Sequence, residues 1–172
     1  MPANLEIKAR ISSISTAEMV ARSIGAKHVG VLTQTDTYFY TRVGRLKLRE
    51  IEEDHSELIS YVRSESTDRR LSEYQIYLCS DPIHLKNVLT ESLGIRSVVK
   101  KRRTLYLFQT TRIHLDEVEG LGSYLELESP IVNSRQDAEA VVEFLVSNFS
   151  VKEKDYIRSS YVDLIERSGS PD

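Results

Sequence analysis

Charged residues recur at alternate positions in several short stretches of this sequence. Lys47 and Arg49 do so in GRLKLREI, Glu126 and Glu128 in SYLELES, and Glu6, Lys8 and Arg10 in NLEIKARI. The run KKRR, Lys100 to Arg103, contributes a basic pair whichever parity is chosen. Clustered Arg and Lys suit a polyanion, because the planar guanidinium fork matches phosphate oxygens and the ammonium is a compact charge. Carboxylates gathered beside them repel one another unless a cation lies between. Hard Mg²⁺ or Mn²⁺ takes carboxylate and phosphate oxygen together. The two halves describe the chemistry of a metal and a triphosphate.

Alternate residues share a face only in a strand, so the elements decide whether these groups meet. Asn4, Glu6, Lys8 and Arg10 oppose Leu5, Ile7, Ala9 and Ile11. Arg45, Lys47 and Arg49 oppose Leu46 and Leu48, while Ile59, Tyr61 and Arg63 share one face. Arg112, His114 and Asp116 oppose Ile113 and Leu115, and Tyr124, Glu126 and Glu128 oppose Leu125 and Leu127. In VVKKRRTLY the period alone does not choose between Lys101/Arg103 and Lys100/Arg102. The candidate set is Glu6, Asp116, Glu126 and Glu128 against Lys8, Arg10, Lys47, Arg49, Arg63, Lys101 and Arg103. It is locally basic in a chain of formal net charge −3.

Strands dominate the 172 residues. About eight are expected in mostly consecutive order, with helices over 13–26, 81–94 and 134–149. Ser15 with Glu18 reads as a capping box, and Asp81 and Gly94 bound the second helix. KDYIRSSYVDLIE reads as a short helical turn followed by a last strand. The class is α+β, an antiparallel sheet whose many sequential strands tend to close into a barrel. With helices outside such a barrel the charged faces point inwards. An open sheet with helices on one side and water on the other gives the same alternation. No linker or repeat divides the chain, so one domain is expected over 1–172, with a core from about 4 to 165 and a frayed polar tail at 167–172.

NLEIKARI, QTDTYF, GRLKLRE, KKRRTLY, RIHLDEVEGLGSYLELE and SSYVDLI together resemble the CYTH superfamily of triphosphate tunnel metalloenzymes, most of all its class IV adenylate cyclase branch. The resemblance implies an eight-stranded antiparallel β-barrel with helices packed outside and selects Lys101 and Arg103 as the inward pair. It implies that Lys8, Lys47, Arg49, Arg63, Lys101 and Arg103 grip phosphate. It likewise implies that Glu6 and Glu128 hold the catalytic Mg²⁺ or Mn²⁺, with Glu126 and Asp116 nearby. The family's signature Glu-x-Glu-x-Lys departs here at its first position, which is Asn4. One fewer negative charge there should weaken metal binding or change the number of ions.

Three activities share such a site. A triphosphatase directs water at the terminal phosphorus, and a cyclase directs the ribose 3′-hydroxyl of ATP at the α-phosphorus, releasing pyrophosphate. A non-catalytic triphosphate-binding module is the third. Hydrolysis of inorganic or organic triphosphate is the preferred expectation, because it asks least of the site. The acidic balance argues against nucleic acid as a partner. No apolar run reaches the ~20 residues of a membrane helix, and the single cysteine, Cys79, excludes an intrachain disulfide. The cytoplasm is the expected compartment, and a homodimer is compatible with the sequence. His114 reads as structural support, Tyr38 and Tyr40 as barrel packing, Asp36 as a hydrogen-bonding or strand-end residue, and Asp155 and Asp163 as caps.

Overall fold

The computed structural model describes residues 3–63 and 70–169, the side chains of residues 63 and 70–72 excepted. Eight antiparallel strands form a closed barrel: β1 (Ala3–Arg10), β2 (Lys27–Phe39), β3 (Arg45–Ile51), β4 (Ser56–Arg63), β5 (Arg70–Cys79), β6 (Ile95–Phe108), β7 (Thr111–Val118) and β8 (Gly122–Pro130). The order around it is β1-β5-β4-β3-β2-β6-β7-β8. Two meanders, β2 to β5 and β6 to β8, are joined along β2 and β6, and β1 closes the ring between β5 and β8. Closure pairs both edges of every strand, which an open sheet cannot do. At the β2–β3 turn Gly44 has φ +64, and a Cβ there would stand 2.7 Å from the Tyr61 carbonyl oxygen.

The alternation seen in the sequence becomes an inside and an outside. Leu5, Ile7, Ile113, Leu115, Leu125 and Leu127 point outwards and are fully buried beneath α1 (Ile14–Ser23) and α3 (Arg135–Asn148). Ala17 and Ala21 of α1 and Ala138, Val142 and Leu145 of α3 complete that core. Each buried Leu or Ile contributes roughly 1.5–3 kcal/mol. The larger apolar core therefore lies outside the barrel, and the middle of the interior is left to polar groups. α2 (Pro82–Leu93), capped by Asp81 and ended by Gly94 as expected, has no buried residue. Among the described residues no helix is long and apolar enough to cross a membrane.

Two local expectations are corrected. Ser13 caps α1, not Ser15 with Glu18: Ser13 has the extended backbone of an N-cap, and its Oγ accepts the Thr16 N–H at 3.2 Å. Glu18 instead accepts from the Tyr106 hydroxyl at 3.2 Å. The final segment is not a strand. A 3₁₀ turn at Glu153–Asp155 leads to α4 (Tyr161–Ser168), and an isolated bridge joins Tyr156 to Ala9. Ser160 and Asp163 form a reciprocal capping box that starts the helix. Asp155 and Asp163 are caps, as read from the sequence.

α4 stops one end of the barrel. Inward-facing Tyr38, Tyr61, Val99, Val118 and Tyr124 pack there against Tyr161 and Val162. Asp163 accepts from Arg45 at 2.9 Å and from Arg96 at 3.3 Å, besides the Ser160 hydroxyl at 2.8 Å. Burial opposes its ionisation, but the hydrogen bonds of Arg45 and Ser160 and the charge of Arg45 hold the carboxyl at about 2. Its stabilising contribution is thus complete above the ordinary carboxylate range and is lost as pH falls towards 2. Asp163→Ala should cost about 2 kcal/mol through the lost cap and ion pairs, a fall in Tm of about 4–8 °C at pH 7. Melting curves should show that gap narrowing as pH falls below 4.

Candidate functional site

The barrel interior contains a cavity of about 230 Å³. Glu6, Lys8, Lys47, Arg49, Lys101, Arg103, Glu126 and Glu128 all stand on its wall, so eight of the eleven candidates read from the sequence are brought together. Lys101 and Arg103 face inwards while Lys100 and Arg102 are exposed. Asp116 is fully buried behind the wall. Arg63 lies in β4, and its side chain is outside the described residues. Arg10 is exposed at the end of β1, 5.1 Å above the Tyr124 ring.

Two buried aspartates aim the cations. Asp36, 1% exposed, accepts from Lys47 Nζ at 3.0 Å and from Arg49 Nε and Nη2 at 2.8 and 2.9 Å. Lys101 Nζ stands 3.6 Å from the same carboxylate. Asp116 accepts two bonds of 2.7 Å from Arg103 and one of 2.8 Å from the Tyr161 hydroxyl. Burial alone would raise both carboxyl pKa values, but the surrounding cations outweigh it. Asp36 is held well below its usual range by Arg49, Lys47 and Lys101, and Asp116 at about 2 chiefly by Arg103. Both are therefore anions near neutral pH.

The lysines carry the opposite burden. Burial, then repulsion from Arg49, brings Lys47 down to about 7; burial, then repulsion from Arg103, brings Lys101 down to about 8. Lys8 lies 3.8 Å from Glu126 and 3.8 Å above the Tyr161 ring, where the face of the π-system favours a cation. His114 is held down to about 3 by burial and by Arg103, so it is neutral near pH 7.

The carboxylates of β1 and β8 share this wall. Glu6 pairs with Glu128 and Lys8 with Glu126 in the β1–β8 register. Glu126 lies 3.5 Å from Arg103, and burial is overcome by Lys8 and Arg103, which hold its pKa well below normal. Glu128 Oε1 accepts from Asn4 Nδ2 at 2.6 Å and from the Arg112 guanidinium. A carboxylate at position 4 would meet Glu128 as a like charge at that separation, whereas the Asn amide donates to it. Among the described residues no three His, Cys, Asp or Glu form a metal cage on their own. Glu6 and Glu128, paired across two strands, fit a hard divalent ion that draws its other ligands from phosphate and water.

Several contributors escape a reading of alternation. Asp36 sits in VLTQTDTYF, where Thr33, Thr35 and Thr37 make both faces polar, so no contrast marks it as internal. Tyr161 falls in a segment expected to be a strand. Asn4 was visible only as a departure from a signature, and its bond to Glu128 spans 124 positions.

The sequence matches the CYTH domain over residues 3–161. The chain belongs to the CYTH family. A Methanocaldococcus jannaschii protein named as a candidate adenylate cyclase is 24% identical over 171 residues, covering 93% of this chain and 97% of its own. A Pyrococcus horikoshii protein shares the fold with a TM-score of 0.83 at 22% identity, covering 94% of this chain and 98% of its own. A Hippeastrum protein does so at 0.69 and 16% identity, covering 99% and 97%. It is named as a candidate adenylyl cyclase and described as having a dominant triphosphatase activity. For this CYTH domain the barrel, the tunnel and the inward cations follow one plan.

In this CYTH tunnel, Asp36→Asn would strand Lys47, Arg49 and Lys101 without a counter-charge. Breaking a buried ion pair from one side costs about 3–5 kcal/mol, so Tm should fall by about 10 °C. Excess inorganic triphosphate should recover much of that loss in a thermal-shift measurement, because the added anion takes the place of the missing charge.

Proposed function

We propose that the protein is a divalent-metal-dependent phosphohydrolase that cleaves the terminal phosphoanhydride of a triphosphate held in the barrel. The observation that carries this reading is the gathering of two kinds of charge on the wall of one buried cavity. Lys8, Lys47, Arg49, Lys101 and Arg103 line it together with Glu6, Glu126 and Glu128. CYTH triphosphate tunnel proteins are metal-dependent in general, and the paired carboxylates match that need.

In this reading the basic residues bind the non-bridging phosphate oxygens and hold the chain of phosphates straight for in-line attack. Their charge offsets the negative charge that accumulates on the equatorial oxygens. Arg103 is fixed by Asp116 and Arg49 by Asp36, so no donor has to reorganise during the reaction. Asp36, Asp116, Glu126 and Glu128 all have depressed pKa values, so none of these four is a general base poised near neutrality. When bound at Glu6 and Glu128, Mg²⁺ or Mn²⁺ supplies a water of lowered pKa and a further clamp on phosphate oxygen. Asp116 acts by orienting Arg103 and Tyr161, since both of its oxygens are taken by them.

Incubation with inorganic triphosphate and with ATP, each with Mg²⁺ or Mn²⁺, should release orthophosphate. Cyclic AMP and pyrophosphate from ATP would assign the cyclase reaction instead, and binding without turnover would leave a binding module. Glu128→Gln should lower the metal-dependent turnover rate at least a hundredfold with little change in melting temperature; unchanged rates would remove Glu128 from the site.

Proton linkage gives a second check. Lys47 at about 7 and Lys101 at about 8 are partly neutral at pH 8, and a bound polyanion favours their charged forms. Ligand binding at pH 8 should therefore take up protons, and affinity should fall as pH rises from 7 to 9. Calorimetry in two buffers of different ionisation enthalpy measures the uptake, which Lys47→Arg should reduce because arginine does not titrate there.

A further inference from the structure

Closure gives β5 a neighbour on each side, but β1 reaches only its first part. The β1–β5 ladder runs from Glu6↔Arg70 to Ala3↔Glu73 and stops there. β4 stays paired with β5 as far as Ser56↔Cys79. Among the described residues, Ile76, Tyr77, Leu78 and Cys79 therefore have a strand on one side alone. Ile76, Tyr77 and Leu78 are 50%, 64% and 67% exposed. Successive side chains of a strand point to opposite faces, so three open apolar residues in a row mark an open edge rather than an uncovered face.

An open edge is a template for another strand, and native proteins guard it with a charge, a proline or a bulge. YQIYLC, Tyr74 to Cys79, contains no charged residue and no proline. Its register with β4 is unbroken. The chain then turns at Asp81 into α2, whose first-turn Ile83 is 69% exposed beside the end of the strand. The edge is apolar, unguarded and ready to pair.

We propose that this edge is the interface of a homodimer, in which β5 pairs antiparallel with β5 of a second copy about a two-fold axis at Tyr77. Three observations select a second copy over a foreign strand. The open stretch is bounded by Ala3 of β1 at one end and by the start of α2 at the other, so it accepts only a short strand. The same stretch of a second copy has that length and those ends. An edge that pairs with itself sets any charge close to its own kind, and this stretch carries none. The exposed parts of Ile76, Tyr77, Leu78 and Ile83 amount to roughly 450 Å² on each protomer. Two copies thus bring roughly 900 Å² before any surrounding surface is counted, close to the about 1,000 Å² of a specific interface. With Tyr77 on the axis, Ile76 faces the partner's Leu78 on the inner side. Ile76 lines the tunnel cavity, so each copy adds an apolar side chain to the rim of the other's tunnel. The interface is isologous and closes at two subunits.

Sedimentation of the full chain at micromolar concentrations should give twice the mass of one chain. Tyr77→Lys sets two ammonium groups against each other on the axis and should weaken dimerisation about a hundredfold. The circular dichroism of that variant should be unchanged, because Tyr77 is exposed. In a Cys79→Ser background, Tyr77→Cys should crosslink through a short bismaleimide into a species of twice the chain mass. Met19→Cys, 64% exposed on α1, should not crosslink in the same background. A chain that stays monomeric would overturn the proposal and leave the edge to a strand of another protein. A dimer that Tyr77→Lys does not weaken, or that Tyr77→Cys does not crosslink, would overturn it by placing the interface elsewhere. None of these measurements uses turnover, so their outcome is independent of the triphosphate reading.

Discussion

The structure depends on keeping five cations and several carboxylates out of bulk water without letting the like charges force the barrel apart. An isolated buried charge is far too costly to persist, and a paired one is tolerated only when its hydrogen bonds are also satisfied. Asp36 and Asp116 meet that condition from the two strands that flank β6, each taking two directed bonds from one guanidinium. Neither lines the cavity. They work from behind it, as fixed counter-charges that set where Arg49, Lys47 and Arg103 point. The pairing is incomplete by design of the geometry: more basic groups than acids crowd β3 and β6. Burial first, and that surplus second, lower the pKa values of Lys47 and Lys101.

An ionic interior inverts the usual placement of the core, and the rest of the fold follows from that. Most apolar packing lies outside the barrel, so α1 and α3 are needed to cover the outward faces of β1, β7 and β8. An open sheet could also be covered on one face, but its polar face would be wet, and Lys8, Lys47, Lys101 and Arg103 would not be buried as they are. Closure of the ring is what turns a polar face into a tunnel.

Alternation within strands made much of this legible. The opposition of Leu5, Ile7 and Ala9 to Glu6 and Lys8 named the inside of β1 correctly, because strand geometry ties side-chain direction to parity with no tertiary information. Parity failed where both faces are polar, as around Asp36, and where all four positions are basic, as in KKRR. There the choice belongs to long-range partners, Asp36 and Asp116 for Lys101 and Arg103. The C-terminal segment failed for a different reason. KDYIRSSYVDLIE carries its apolar residues in adjacent pairs, Tyr156–Ile157, Tyr161–Val162 and Leu164–Ile165, which no strand alternation supports, and the Ser160–Asp163 box and the two arginines holding Asp163 favour a helix. The bond from Asn4 to Glu128 is of the same kind, set by register between the chain's two ends.

The stopper formed by α4 and the tyrosines makes the tunnel a blind alley. A linear phosphate chain that enters tail-first puts its terminal group deepest and its organic end at the mouth. In the proposed reaction, what is cut from the deep end would leave by the route its own parent still occupies, so the two fragments would depart in order, the outer before the inner. The packing of Tyr161 on Lys8 and Asp116 would then set the sequence of release at a distance from the scissile bond.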